Sequence, residues 1–143
     1  MEVNKIKHII NSAITYMIFA LISGVFFREF TKLYSYSGST TLSLLHGHYF
    51  TLGLFLMLFL VILEKQFNFL KITKVKKYII IYHIGLNITG LMLLLRGITK
   101  IVSNNLSSSL DASISGLSGL GHILLSYSFI MMFLKIKKVI VKG

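Results

Sequence analysis

The chain of 143 residues contains no cysteine, no proline, no tryptophan and only four acidic residues. Without cysteine it forms no disulfide, no Cys-based zinc site, no iron–sulfur cluster and no thiol nucleophile. Without proline, no helix is kinked by a missing amide donor. Without tryptophan there is no indole belt at a membrane interface. The carboxylates are Glu2, Glu29, Glu64 and Asp111, too scattered along the chain to suggest an interior pair for acid–base hydrolysis. The serines near His122 also lack an orienting acid, so a Ser-His-Asp arrangement is not supported. An enzyme is therefore not the expected reading.

Charge of either sign is scarce. Charged residues make up 13% of the chain against 55% hydrophobic ones, and the mean hydropathy is +0.79. A soluble domain carries roughly twice that charged fraction, because its surface must be wetted. The net charge of +11 would suggest nucleic acid in a soluble domain. Here the basic residues sit between long apolar runs, where they act as a topology signal, and no nucleic-acid partner is expected.

Four uncharged apolar runs are present: Ile9–Phe27, Leu42–Leu63, Tyr78–Leu95 and Leu117–Leu134. A helix needs about 20 apolar residues to cross a bilayer core, and unbroken runs exclude the period-two alternation of a membrane β-barrel. The expected fold is all-α: one domain over residues 1–143, an integral membrane four-helix bundle. The first run follows Lys5 and Lys7 as a secretory leader would, but it is too long and no small-x-small cleavage site follows it. Eleven basic residues flank the N-terminus, the loop after the second run and the C-terminus. Only Arg28, Lys32, Arg96 and Lys100 lie on the other side. The positive-inside rule then predicts that both termini are cytoplasmic. Between the third and fourth runs, Ile98, Val102, Leu106, Leu110 and Ile114 recur every fourth position. That spacing predicts a helix lying on the outer interface, with a serine-rich flexible loop as the alternative.

Small and polar residues should mark the buried faces in a membrane bundle. At 100° per residue the first span aligns His8, Ser12, Thr15, Phe19 and Ser23. The second aligns Ser43, His46, Phe50, Gly53 and Met57. The third aligns His83, Asn87, Gly90 and Gly97, and the fourth Ser115, Ser118, Gly119, His122, Ser126 and Phe129. His48 lies 200° from His46, so a regular helix cannot turn both inward. His46 and His122 are each five or six residues inside a span that starts from the outer side, so they are expected at one level. Two imidazoles facing across a bundle suit axial ligation of a b-type haem. Gly47 and Gly119 are expected to give the macrocycle room, and Arg28 and Arg96 to meet its propionates. A divalent metal on His46, His48 and His122 is the competing site. For each histidine the plain alternative is an interfacial or packing role.

The segments Leu45–Phe50 (LHGHYF), Gly119–Leu124 (GLGHIL) and Gly24–Lys32 (GVFFREFTK) resemble an uncharacterised family of small four-span bacterial membrane proteins, a domain of unknown function. The resemblance covers nearly the whole chain and implies the topology rather than an activity. His46 with Gly47, and His122 after Gly121, are more distantly similar to the haem-ligating histidines of haem-copper oxidase subunit I. That subunit has about three times as many spans, and its copper-site histidine pair and histidine–tyrosine arrangement have no counterpart here. The expectation is thus a bacterial cell-membrane protein holding haem b for electron relay, sensing or support of a respiratory complex. Its expected partners are the lipid bilayer, a membrane redox protein and a second copy of the chain. The alternatives are an accessory packing protein, or a metal carrier or transporter.

Overall fold

A computed structural model describes residues 2–102 and 107–142. Helix α1 spans Glu2–Leu33. Helix α2 (Leu42–His48), a π-helical segment (Tyr49–Phe55) and α3 (Leu56–Phe67) run end to end as one second span. A 3₁₀ turn at Phe69–Lys71 leads into α4 (Thr73–Val102), and α5 spans Ser108–Lys142. Four helices are each long and apolar enough to cross a membrane. The described residues form helices joined by turns and no strand, and within the spans every backbone group can pair inside its own helix, as hydrocarbon requires.

Among the described residues, no separate helix forms between the third and fourth runs. Ile98 and Val102 continue α4, while Leu110 and Ile114 open α5; Leu106 lies outside the described residues. Arg96 explains part of this, because its guanidinium donates to Asp111 Oδ1 at 2.8 Å and to Ser115 Oγ at 2.5 Å. The pair joins the two helices above the apolar runs and keeps both helical there.

The turns are built by left-handed residues. Ser35 (φ 47°) opens the first connection, and Thr40 and Thr41 at its end donate to Gly97 O and Leu93 O of α4 at 3.2 and 2.8 Å. Asn68 (φ 51°) caps α3, its N–H reaching Glu64 O at 2.9 Å. The Glu64 side chain is 3% exposed, and its Oε2 accepts the Leu70 N–H at 2.7 Å. The buried carboxylate at the end of the second span therefore closes a hairpin.

The second span and α4 form the centre, flanked by α1 and α5. Helix α1 packs along the second span, and α5 packs along α4. The α4/α5 crossing is backbone on backbone: a Cβ on Gly85 would stand 2.7 Å from Leu125 N, and one on Gly121 would stand 3.0 Å from Thr89 N. On the other pair, a Cβ on Gly53 would meet Tyr16 Cβ at 2.6 Å, so the π segment lies against the tyrosine. A π turn leaves carbonyls poorly paired, and Tyr82, fully buried, donates its hydroxyl to Leu52 O at 2.9 Å.

The buried faces are rotated from those expected. In α1 they are Ile9, Ala13, Tyr16, Ala20 and Ser23; in α5 they are Ile114, Leu125, Ser128, Met132 and Ile136. The polar residues instead border these lines. Most satisfy themselves within their own helix, as Ser12 does on His8 O, Thr15 on Asn11 O, Thr51 on Gly47 O and Ser115 on Asp111 O. A hydroxyl that bonds its own i−4 carbonyl needs no partner helix, so it exerts little pull toward the interior.

Candidate functional site

His46 and His48 leave the second span on different faces, as helix geometry requires. His46 turns to α1, where its Nδ1–H donates to Ala20 O at 2.9 Å and its ring stands edge-on to Phe50. A Cβ on Gly24 would touch His46 Nδ1 at 3.0 Å, so Gly24 makes that seat. The ring that meets His122 is His48. Their centroids are 6.5 Å apart and their planes cross at 86°. Each donates Nδ1–H to its own helix, His48 to Leu44 O at 2.9 Å and His122 to Ser118 O at 2.8 Å. The pair opens onto a cavity of about 380 Å³, walled by Leu52, Leu125, Ser126, Phe129 and Ile130. The structure thus brings together a histidine pair between the second and fourth spans, with His48 in the place expected for His46.

The remaining expected residues are placed as follows. A Cβ on Gly47 or Gly119 would meet nothing within 4 Å; they are open positions, and the close helix approach falls at Gly85 and Gly121 instead. Arg96 is held by Asp111. Arg28 is exposed beside Glu29, 3.6 Å away. No three His, Asp or Glu side chains gather into a metal-ligand set among the described residues, so His46, His48 and His122 do not converge.

A second polar cluster lies between α1 and α4. The Tyr16 hydroxyl stands 2.7 Å from His83 Nδ1 and accepts from Asn87 Nδ2 at 3.2 Å; Asn87 also donates to His83 O at 2.8 Å. Tyr16 stacks between His83 and Tyr49, with centroids 5.6 and 5.8 Å away. Sequence reasoning singled out His83 and Asn87 but missed Tyr16. The signal was there: Ala13 and Ala20 flank it at helical spacing, and small residues mark a face that another helix approaches closely.

No curated protein and no solved structure matches the chain. A family described as proteins of unknown function (DUF2871) matches residues 6–139. A four-span helical architecture over nearly the whole of that match is what the resemblance implied, and the chain belongs to this family.

Proposed function

We propose that this chain is a small bacterial cell-membrane protein that holds a b-type haem between its second and fourth spans and relays electrons through it, with both termini in the cytoplasm. The observation that carries the reading is the His48–His122 pair. Two imidazoles bound to one metal at about 2.0–2.1 Å each place their ring centres about 6 Å apart, and these two are 6.5 Å apart. Both Nδ1–H groups are already committed to carbonyls. That is the outer-shell bond that fixes a ligating histidine's tautomer and leaves Nε2 as the ligand. Two protein ligands suit a macrocycle that brings its own four nitrogens better than a bare ion, which needs more donors than gather here. Gly47 precedes His48 and Gly119 lies one helical turn before His122, and a Cβ on either would meet nothing within 4 Å. Arg96, through Ser115, stands about 10 Å along α5 from His122, within reach of propionates. A haem held by two histidines supplies one-electron transfer and offers no open position to a gas ligand. The orientation rests on the eleven basic residues at one end against four at the other.

The competing reading is structural, and one observation favours it: both rings bond within their own helices, as the neighbouring serines and threonines do. Spectra of protein purified from haem-replete cells, oxidised and dithionite-reduced, separate the two. The proposal expects a low-spin b-type spectrum that His48→Ala and His122→Ala each abolish, while His46→Ala and His83→Ala keep it. A wild-type protein without haem, or haem retained by both the His48 and His122 variants, overturns it. Reporter fusions at Lys74 and Gly143 should read cytoplasmic and one at Gly38 external; the reverse pattern overturns the orientation.

A further inference from the structure

The seam between α1 and α4 is independent of the histidine pair above. Three cavities of about 470, 370 and 540 Å³ follow one another along it. The first and second share His8, Ser12 and His83; the second and third share Phe19 and Asn87. Together they make one groove, open on the bundle's flank, whose character changes along its length. The lysine-rich end carries Lys76 and His8. The middle is polar. The far end is a hydrocarbon wall of Ile22, Phe26, Leu91 and Leu94.

The polar middle lies deep. Counting from Tyr78, His83 is about 7 Å and Asn87 about 13 Å into the apolar run of α4, close to the midplane of a hydrocarbon core about 30 Å thick. A phospholipid phosphate stays at the boundary, so its acyl chain would lie against an amide that hydrocarbon cannot satisfy. The hydrogen bonds left over define what fits. The Tyr16 hydroxyl accepts from Asn87; in the tautomer where it gives its own proton to His83 Nδ1, N–H stays on His83 Nε2. Asn87 spends its Nδ2 on Tyr16 and His83 O, and its Oδ1 has no partner among the described residues. His83 and Asn87 then offer one donor and one acceptor, the Asn11 amide and His8 ring line the same cavity toward its lysine-rich end, and no Lys, Arg, Asp or Glu lines it. The matching head group is uncharged, compact and bears a hydroxyl that both accepts and donates.

We propose that the α1/α4 groove binds a membrane-soluble quinol, a ring hydroxyl accepting from His83 Nε2–H and donating to Asn87 Oδ1, with its hydrocarbon tail laid along Ile22, Leu91 and Leu94. The absence of tryptophan makes the test direct. In lipid nanodiscs kept anaerobic and reduced, a single reporter Phe26→Trp is titrated with decylubiquinol, a benzoquinol with an alkyl tail, and quenching of its emission is followed. A second reporter, Ile123→Trp, sits on a lipid-exposed position of α5 and measures partitioning into the bilayer alone. The expected result is saturable quenching at the first reporter and linear quenching at the second. Asn87→Leu, on the first reporter, should weaken the saturable phase by about tenfold, the weight of a lost hydrogen bond to a buried head. Leu91→Phe, which narrows the tail channel at an exposed position, should weaken it less, and His122→Ala should leave it unchanged. Linear quenching at both reporters, or an Asn87→Leu variant that binds as tightly as its parent, overturns the proposal. So does a phospholipid that survives delipidation and is lost in Asn87→Leu, or a second copy of the chain cross-linked through Leu91.

Discussion

Helix α4 meets its two neighbours in opposite ways. Against α5, Gly85 and Gly121 let the helices approach until a Cβ on Gly85 would meet Leu125 N and one on Gly121 would meet Thr89 Oγ1 and N. Against α1, a tyrosine, a histidine and an asparagine stand between the helices and hold them apart. In lipid no hydrophobic force drives helices together, so a seam closes where atoms fit and opens where side chains intervene. The closed seam is a structural device. The open one is where a ligand has room. The same contrast holds for the second span, which receives Tyr16 tightly at Gly53 yet leaves the His48–His122 seam wide enough for a cavity.

The contrast can be broken at its closed side first. Gly85→Leu should cost about 2–3 kcal/mol, because backbone rather than a flexible side chain must yield, whereas Gly119→Leu, with open space around it, should cost little. Unfolding in mixed detergent micelles measures both, and equal losses would erase the distinction between the two glycines. On the open side, Tyr16→Phe removes the hydroxyl that links α1 to His83 and Asn87 and should cost about 1–2 kcal/mol. Helix α1 should then show faster amide exchange while α5 is unchanged. Tyr82→Phe frees Leu52 O in the π segment. A loss of about 1 kcal/mol is expected, with exchange rising locally over Tyr49–Phe55. Arg96→Gln should be mildest, about 0.5 kcal/mol or less, since both partners of the Asp111 pair are substantially exposed. A larger loss would mean that the clamp, rather than the glycine crossing, closes the α4/α5 pair.

The histidines show how far the sequence could be read. Their relative angles were legible, because a helix fixes 100° per residue; His46 and His48 do face different helices. Their absolute rotation was not. Taking the polar stripe as the buried one turned His46 toward α5, whereas the buried line through Leu42, Leu45, Tyr49 and Leu60 gives that place to His48. The π segment adds a second reason, since it shifts the phase of everything after Tyr49 and leaves no composition cue beyond Gly53. Glu64 was visible as an acidic residue at the end of the second span, but its bond to Leu70 N depends on a turn that closes only in three dimensions.

What the sequence determined by itself was the set of local quantities: four apolar runs of spanning length, their helical state, the boundaries marked by lysines, and the angular order of residues along each run. Hydrocarbon enforces these one helix at a time, because every backbone group must pair within its own segment. The tertiary structure decided which face of each helix turns inward, which glycines touch and which stay open, and which side chains from different spans share a seam. Those choices depend on steric fit between surfaces that are equally apolar and far apart in the chain, and no pattern within a single span contains that fit.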